Sequence, residues 1–101
     1  MQENYKVLML NPNDDVAVAL QAIPSGATVT VSCKGFLKRV QIKEDIMFGH
    51  KFAVHQIKKG EDILKYGEII GEANRNIEEG EHVHVHNLDG KRGRGDKIGT
   101  N

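Results

Sequence analysis

The stretch Ile77-Glu78-Glu79-Gly80-Glu81-His82-Val83 holds an Ile, a Gly three residues on, and a β-branched aliphatic three further on. The same order occurs in Ile23-Pro24-Ser25-Gly26-Ala27-Thr28-Val29 and in Ile57-Lys58-Lys59-Gly60-Glu61-Asp62-Ile63. The physical reading is a buried Ile, a tight turn needing positive φ at the Gly, and a strand that re-enters the core. The copies start at residues 23, 57 and 77, so their spacing is unequal. This predicts a recurrent corner in a compact body of short strands, not a solenoid.

Working outward, the remaining segments agree with a mainly β chain. Thr28-Val29-Thr30-Val31 is β-branched throughout, the composition that suits a pleated strand. Further strands are expected over Tyr5–Leu10, Val16–Leu20, Phe36–Ile42, Gly49–Val54, Ile63–Tyr66, Ile69–Ala73 and His82–His86. Asn11-Pro12-Asn13-Asp14-Asp15 is a turn cluster. No segment sustains a 3.6-residue period for three turns, so any helix is short.

Composition bounds the function. At 101 residues the chain is one domain, too short for a two-layer α/β enzyme with a deep cleft. Lys plus Arg and Asp plus Glu both number 14, so the net charge is +0. This removes the usual electrostatic argument for nucleic acid or an anionic membrane. No apolar run approaches the ~20 residues that cross a bilayer. Met1–Lys6 lacks the basic start and apolar stretch of a signal peptide. Cys33 is the only cysteine, which excludes an intrachain disulfide and fits a reducing cytoplasm. Residues 90–101 carry four glycines and four basic residues. They are expected to form a flexible basic tail or linker after a domain spanning 1–89.

Chemistry gathers at the histidines. Three of five occupy alternate positions, His82, His84 and His86. In a strand these share one face, with Val83 and Val85 turned to the core. Imidazoles spaced by roughly 6–7 Å along a strand can hold one divalent metal if a third ligand comes from elsewhere. His50 is the best third candidate, and Asn87 could add a carbonyl oxygen. Such a set suits Fe(II), Mn(II) or Zn(II). The alternative is a solvated strand face whose histidines only hydrogen-bond. His55 reads as structural or exposed.

Lys65-Tyr66-Gly67-Glu68 forms a second cluster, able to transfer protons or hold a carboxylate, or else simply an edge turn. The basic tail could bind anions or RNA, or be a solvated terminus. Cys33 reads as an inert thiol. Neither a nucleotide-binding glycine fingerprint nor a catalytic triad signature occurs.

Five segments taken together resemble a known family. They are Asp15-Val16-Ala17-Val18-Ala19-Leu20, Gly49-His50-Lys51-Phe52-Ala53, Leu64-Lys65-Tyr66-Gly67, Ile70-Gly71-Glu72-Ala73 and Gly80-Glu81-His82-Val83-His84-Val85-His86-Asn87-Leu88. In this order they look like the N-terminal domain of altronate/galactarate dehydratases, a SAF-type domain of β-clip fold. They also look like the small subunit of sulfolactate sulfo-lyase-like enzymes. The resemblance implies a hydro-lyase that removes water from a sugar acid to give a 2-keto-3-deoxy acid. It implies a divalent metal, Fe(II) or Mn(II), in the complete enzyme, and a cytoplasmic location. Carried over by motif, the residues singled out are His50, Lys51, Lys65 and Tyr66 for catalysis, Asn87 and Arg92 for substrate, and His84 and His86 for metal. His82 becomes the spectator of the three. The family's enzymes contain a much larger further portion. This chain is therefore expected to work with a large catalytic subunit or a C-terminal domain, with a homo-oligomer as a further expected state, and not to turn over alone. A non-catalytic carbohydrate- or protein-binding SAF module is the alternative.

Overall fold

The computed structural model describes residues 5–90. The expected basic tail, Arg92 included, lies outside the described residues. Nine strands and no helix occur among those described: β1 (Val7–Leu8), β2 (Val16–Ala19), β3 (Thr28–Cys33), β4 (Phe36–Gln41), β5 (Lys51–Ala53), β6 (Asp62–Lys65), β7 (Glu68–Ala73), β8 (His82–Val83) and β9 (Leu88–Gly90). The fold is mainly β, as the corners implied.

The corners work as their sequence requires. Gly26, Gly60 and Gly80 have φ of 93, 90 and 87°, and Ile23, Ile57 and Ile77 are almost wholly buried. Burying each Ile side chain contributes about 1.5–3 kcal/mol. A fourth corner joins them: Ile46-Met47-Phe48-Gly49-His50-Lys51-Phe52, with Gly49 at φ 84°. Ile23 bridges Ile46, and Ile57 bridges Ile77.

The four corners therefore pair into two halves of one design. In each, a corner leads into a two-stranded hairpin and a second corner returns the chain. Equivalent backbone bonds mark the likeness: Gly26 N donates to Ile42 O and Gly60 N to Ala73 O, both at 2.8 Å. Likewise Gly49 N donates to Ala19 O and Gly80 N to Ala53 O, both at 2.8 Å.

The antiparallel sheet β1-β2-β5-β8 runs between the halves. All four residues of β2 are buried, because each face of the strand lies under a separate core. Ala17 and Ala19, with Phe52 and Val54, join Ile23, Val29, Val31, Val40, Ile42 and Ile46 in the first core. Val16 and Ala53 join Ile57, Ile63, Ala73, Ile77 and Val83 in the second. The β3–β4 hairpin covers the first core, and the β6-β7-β9 sheet covers the second. Side-chain alternation along β2 and β5 thus feeds both cores from one sheet.

Two expectations are corrected here. The strand expected over His82–His86 ends at Val83. A turn follows, in which Asn87 N and Leu88 N both donate to His84 O, and the chain returns as β9 beside β7. Val85 consequently points outward, 76% exposed, and does not face the core. The reason is pairing: among the described residues no strand pairs with residues 84–86, and Asn87 closes the turn.

Candidate metal centre

β5 and β8 build the site. Their register pairs Phe52 with His82 and Lys51 with Val83, so the next positions outward are His50 and His84. His82 and His84 share a face, as alternation predicts, and His50 meets them from across the ladder. The three rings form a triangle, with centroids 5.1 Å apart for His50–His82, 5.0 Å for His50–His84 and 5.4 Å for His82–His84. One ligand nitrogen from each lies within 4.8 Å of the other two. His50 Nδ1 and His82 Nε2 share a hydrogen bond of 2.9 Å.

The backbone around the rings is fixed from below. His82 N donates to Glu44 Oε2 at 3.0 Å, and His84 N to Asn87 Oδ1 at 2.9 Å. Asn87 Nδ2 donates in turn to His82 O at 2.9 Å. Asn87 is 1% exposed, and both ends of its amide serve the two histidines' backbone. It acts as a clip for the turn. Placement of a buried Asn at a turn end follows from its two-way hydrogen bonding.

Proton affinity falls at two of the rings. Burial, then the neighbouring His50 and His84, lowers the pKa of His82, against a smaller upward pull from Glu44. His84 is also lowered, by its partial desolvation first and then by His50, Lys51 and His86. Both shifts favour neutral imidazole, the form that ligates metal. Lys51, beside His50, is likewise lowered, by burial and then by Lys65.

The other singled-out residues sort by distance from this triangle. Lys65 reaches Lys51 electrostatically, and its Nζ lies 4.9 Å from the Tyr66 ring centroid. His86 touches only the edge of the group: its ring is tilted at 5.5 Å from His82, and its carbonyl accepts from Arg75 at 3.0 Å. His55 stands elsewhere, with Nε2 2.7 Å from Asp15 Oδ1 and Nδ1 2.8 Å from Gln56 O. The set brought together is thus His50, His82 and His84. The family resemblance singles out His84 and His86 and leaves His82 as the spectator, whereas the rings that stand together here are His50, His82 and His84.

Three imidazoles and no carboxylate form a donor set for a borderline transition metal, with room for non-protein ligands. The residues present therefore fit a divalent ion of that type.

The chain belongs to the altronate/galactarate dehydratase SAF domain family, whose model matches residues 5–91. It is 38% identical over 80 residues to an altronate dehydratase of Bacillus subtilis, covering 79% of this chain and 15% of that one. It is 43% identical over 74 residues to an altronate dehydratase of Escherichia coli, covering 73% of this chain and 14% of the relative. With the (2R)-sulfolactate sulfo-lyase subunit alpha of Chromohalobacter salexigens it shares 34% identity over 77 residues, 74% of this chain and 82% of that subunit. The chain thus spans about a seventh of the altronate dehydratases and most of the sulfo-lyase subunit. Its relatives are dehydratases and lyases. Among the described residues no helix is long and apolar enough to cross a membrane.

Proposed function

We propose that this chain is the N-terminal domain or small subunit of a sugar-acid dehydratase of altronate or galactarate type. It contributes one wall of the active site, and a larger catalytic portion completes it. The observation that carries this is the pairing of coverage with geometry. The same length of chain is a fraction of one relative and most of a separate subunit in another, and its histidine triangle lies partly open at the surface.

The reaction is an elimination. A proton leaves the carbon next to the substrate carboxylate, the β-hydroxyl departs as water, and the resulting enol rearranges to a 2-keto-3-deoxy acid. In a sulfo-lyase sulfite would leave instead. Charge builds on the carboxylate during proton removal, so fixed cations are needed there. Lys51 and Lys65 supply them beside the histidines, and Arg92 is proposed as a further substrate contact. His50, Lys51, Lys65 and Tyr66 are the groups proposed to move or steady protons. Asn87 serves by holding His82 and His84 in place. His84, with His86 at the margin, belongs to the proposed metal wall. A bound divalent metal, Fe(II) or Mn(II), would polarise the carboxylate or the leaving hydroxyl. The expected setting is the cytoplasm.

The test is reconstitution. The chain is combined with the larger chain encoded beside its gene, or assayed within its longer polypeptide, with Fe(II) or Mn(II) and altronate, galactarate or sulfolactate. Keto-deoxy acid or sulfite should form only when both portions are present. Absence of turnover with every one of these acids overturns the reading.

A further inference from the structure

We propose that His50, His82 and His84 bind one divalent transition-metal ion as a complete three-histidine set, with no protein ligand from any other chain. This deepens the reading above at the same site, yet it is a property of this chain alone.

The first argument is distance. Two nitrogens on one ion, each about 2.0–2.1 Å from it, stand roughly 3 Å apart. His50 Nδ1 and His82 Nε2 are already 2.9 Å apart. His84 closes the set from within 4.8 Å, and it sits exposed at the start of a turn, stacked on both other rings. An ion would replace the His50–His82 hydrogen bond with two metal bonds, so no polar group is orphaned by the exchange.

The second argument is support. Metal sites hold their ligands through a further layer of hydrogen bonds. Here one buried side chain, Asn87, grips the backbone of two ligands, and Glu44 grips one of them again. The third ligand, His50, is tied through its own carbonyl, which accepts from Ala19 N at 2.8 Å, and through its N–H to Met47 O at 3.0 Å. An ordinary solvated strand face has no need of this.

The third argument is charge and coordination number. The imidazole set itself is neutral, with the Glu44 carboxylate at the His82 N–H, 3.0 Å away, and the Lys51 amine next to His50 in the chain. Mg(II) and Ca(II) want oxygen ligands and are excluded, while Co(II), Ni(II), Zn(II) and Fe(II) suit imidazole. Three protein ligands leave a position open, the pattern of a working site rather than a structural one. His86 stays outside the set, because it has no nitrogen in the group whose ligand atoms lie within 4.8 Å of one another, and its ring is tilted 5.5 Å from His82.

The experiment uses the untagged 101-residue chain, stripped with chelator and titrated with Co(II), followed by visible absorption and then by Zn(II) competition. One ion per chain is expected. Changing His50, His82 or His84 to Gln should weaken binding by about tenfold or more, and Asn87→Ala by about tenfold. His86→Gln and His55→Gln should stay within about twofold. Because a variant could misfold, paramagnetic broadening by Co(II) in the unmodified chain provides a second readout. It should reach the His50, His82 and His84 ring signals and spare His55. No saturable one-to-one binding, or His86→Gln as damaging as His84→Gln, overturns the proposal. Metal binding without turnover in the reconstitution removes only the lyase reading; turnover without metal on this chain removes only the metal site.

Discussion

The two hairpins share one build and differ in how their tips are held. Both turn in two residues with positive φ, Lys34 at 43° and Gly35 at 89° in one, Tyr66 at 56° and Gly67 at 80° in the other. Such turns match the natural twist of paired strands. At the Lys34–Gly35 tip a Cβ added to Gly35 would meet nothing within 4 Å. The Tyr66–Gly67 tip is anchored: Asp14, 2% exposed, accepts from Tyr66 N at 2.9 Å and Gly67 N at 2.8 Å. Asp15 Oδ2 adds a bond from Leu64 N at 2.8 Å. One arm is a cover for its core; the other is fastened at both ends. The fastened arm is the one that brings Lys65 within electrostatic reach of Lys51. A duplicated architecture has thus been made unequal where chemistry is expected.

The sharpest way to break this comparison lies at the corners. A Cβ on Gly80 would stand 2.0 Å from Gln41 O, while one on Gly26 meets nothing within 4 Å. Gly80→Ala should therefore prevent folding or cost more than about 4 kcal/mol, beyond the usual range of single changes. Gly26→Ala should cost only about 1–2 kcal/mol, the left-handed backbone penalty. Urea denaturation of both variants measures the difference.

Next in size is Asp14→Ala. It strands the N–H groups of Tyr66 and Gly67 and also removes a 3.2 Å bond from Asn11 N. A loss of about 2–4 kcal/mol is expected, from unsatisfied donors near a former charge. Lys34→Ala at the free tip should change stability by less than about 1 kcal/mol. Equal losses from the two changes would end the distinction between a fastened and a free arm. Smaller still, Lys34→Asn should stabilise by about 0.5 kcal/mol, since Asn accepts positive φ more readily than Lys.

The gentlest effect follows acidification of the metal-free chain. His82 and His84 have lowered pKa values in the folded state, so the unfolded chain takes up more protons near and below the ordinary His value of about 6.5. Stability is then full above that pH and declines as pH falls through it. Thermal melts between about pH 7.5 and 5.5 should show a falling midpoint, with a smaller fall in His82→Gln. A midpoint that rises on acidification would mean the rings gain protons on folding.

Much of this was legible in the sequence because corners have strong local chemistry. Ile, then Gly, then a branched aliphatic specified burial, positive φ and re-entry in three places. The fourth corner escaped because Phe52 stands where the others have Ile or Val. Its spacing alone, Ile46 to Gly49 to Phe52, carried the signal. The site was half legible. Alternation put His82 and His84 on one face, where their rings stack, while His50 was read only from its place after Gly49. The end of β8 depends on what β5 can pair with, which is a long-range property. Nothing near His86 announces that its strand has run out, except Asn87, whose side chain turns back to close the loop.

β2 has its two faces committed to different cores, and those cores mature at different times during synthesis. The residues of the first core end at Val54, so it can close as soon as that much chain has emerged. The second needs Val16 and Ala53 from the same sheet together with residues as late as Val83. A nascent chain that has reached Val54 should therefore display three of the sheet's four strands, β1, β2 and β5, with one bare apolar side. The half made later then assembles on that side as on a template, and the two β5–β8 histidine positions meet only at this last step.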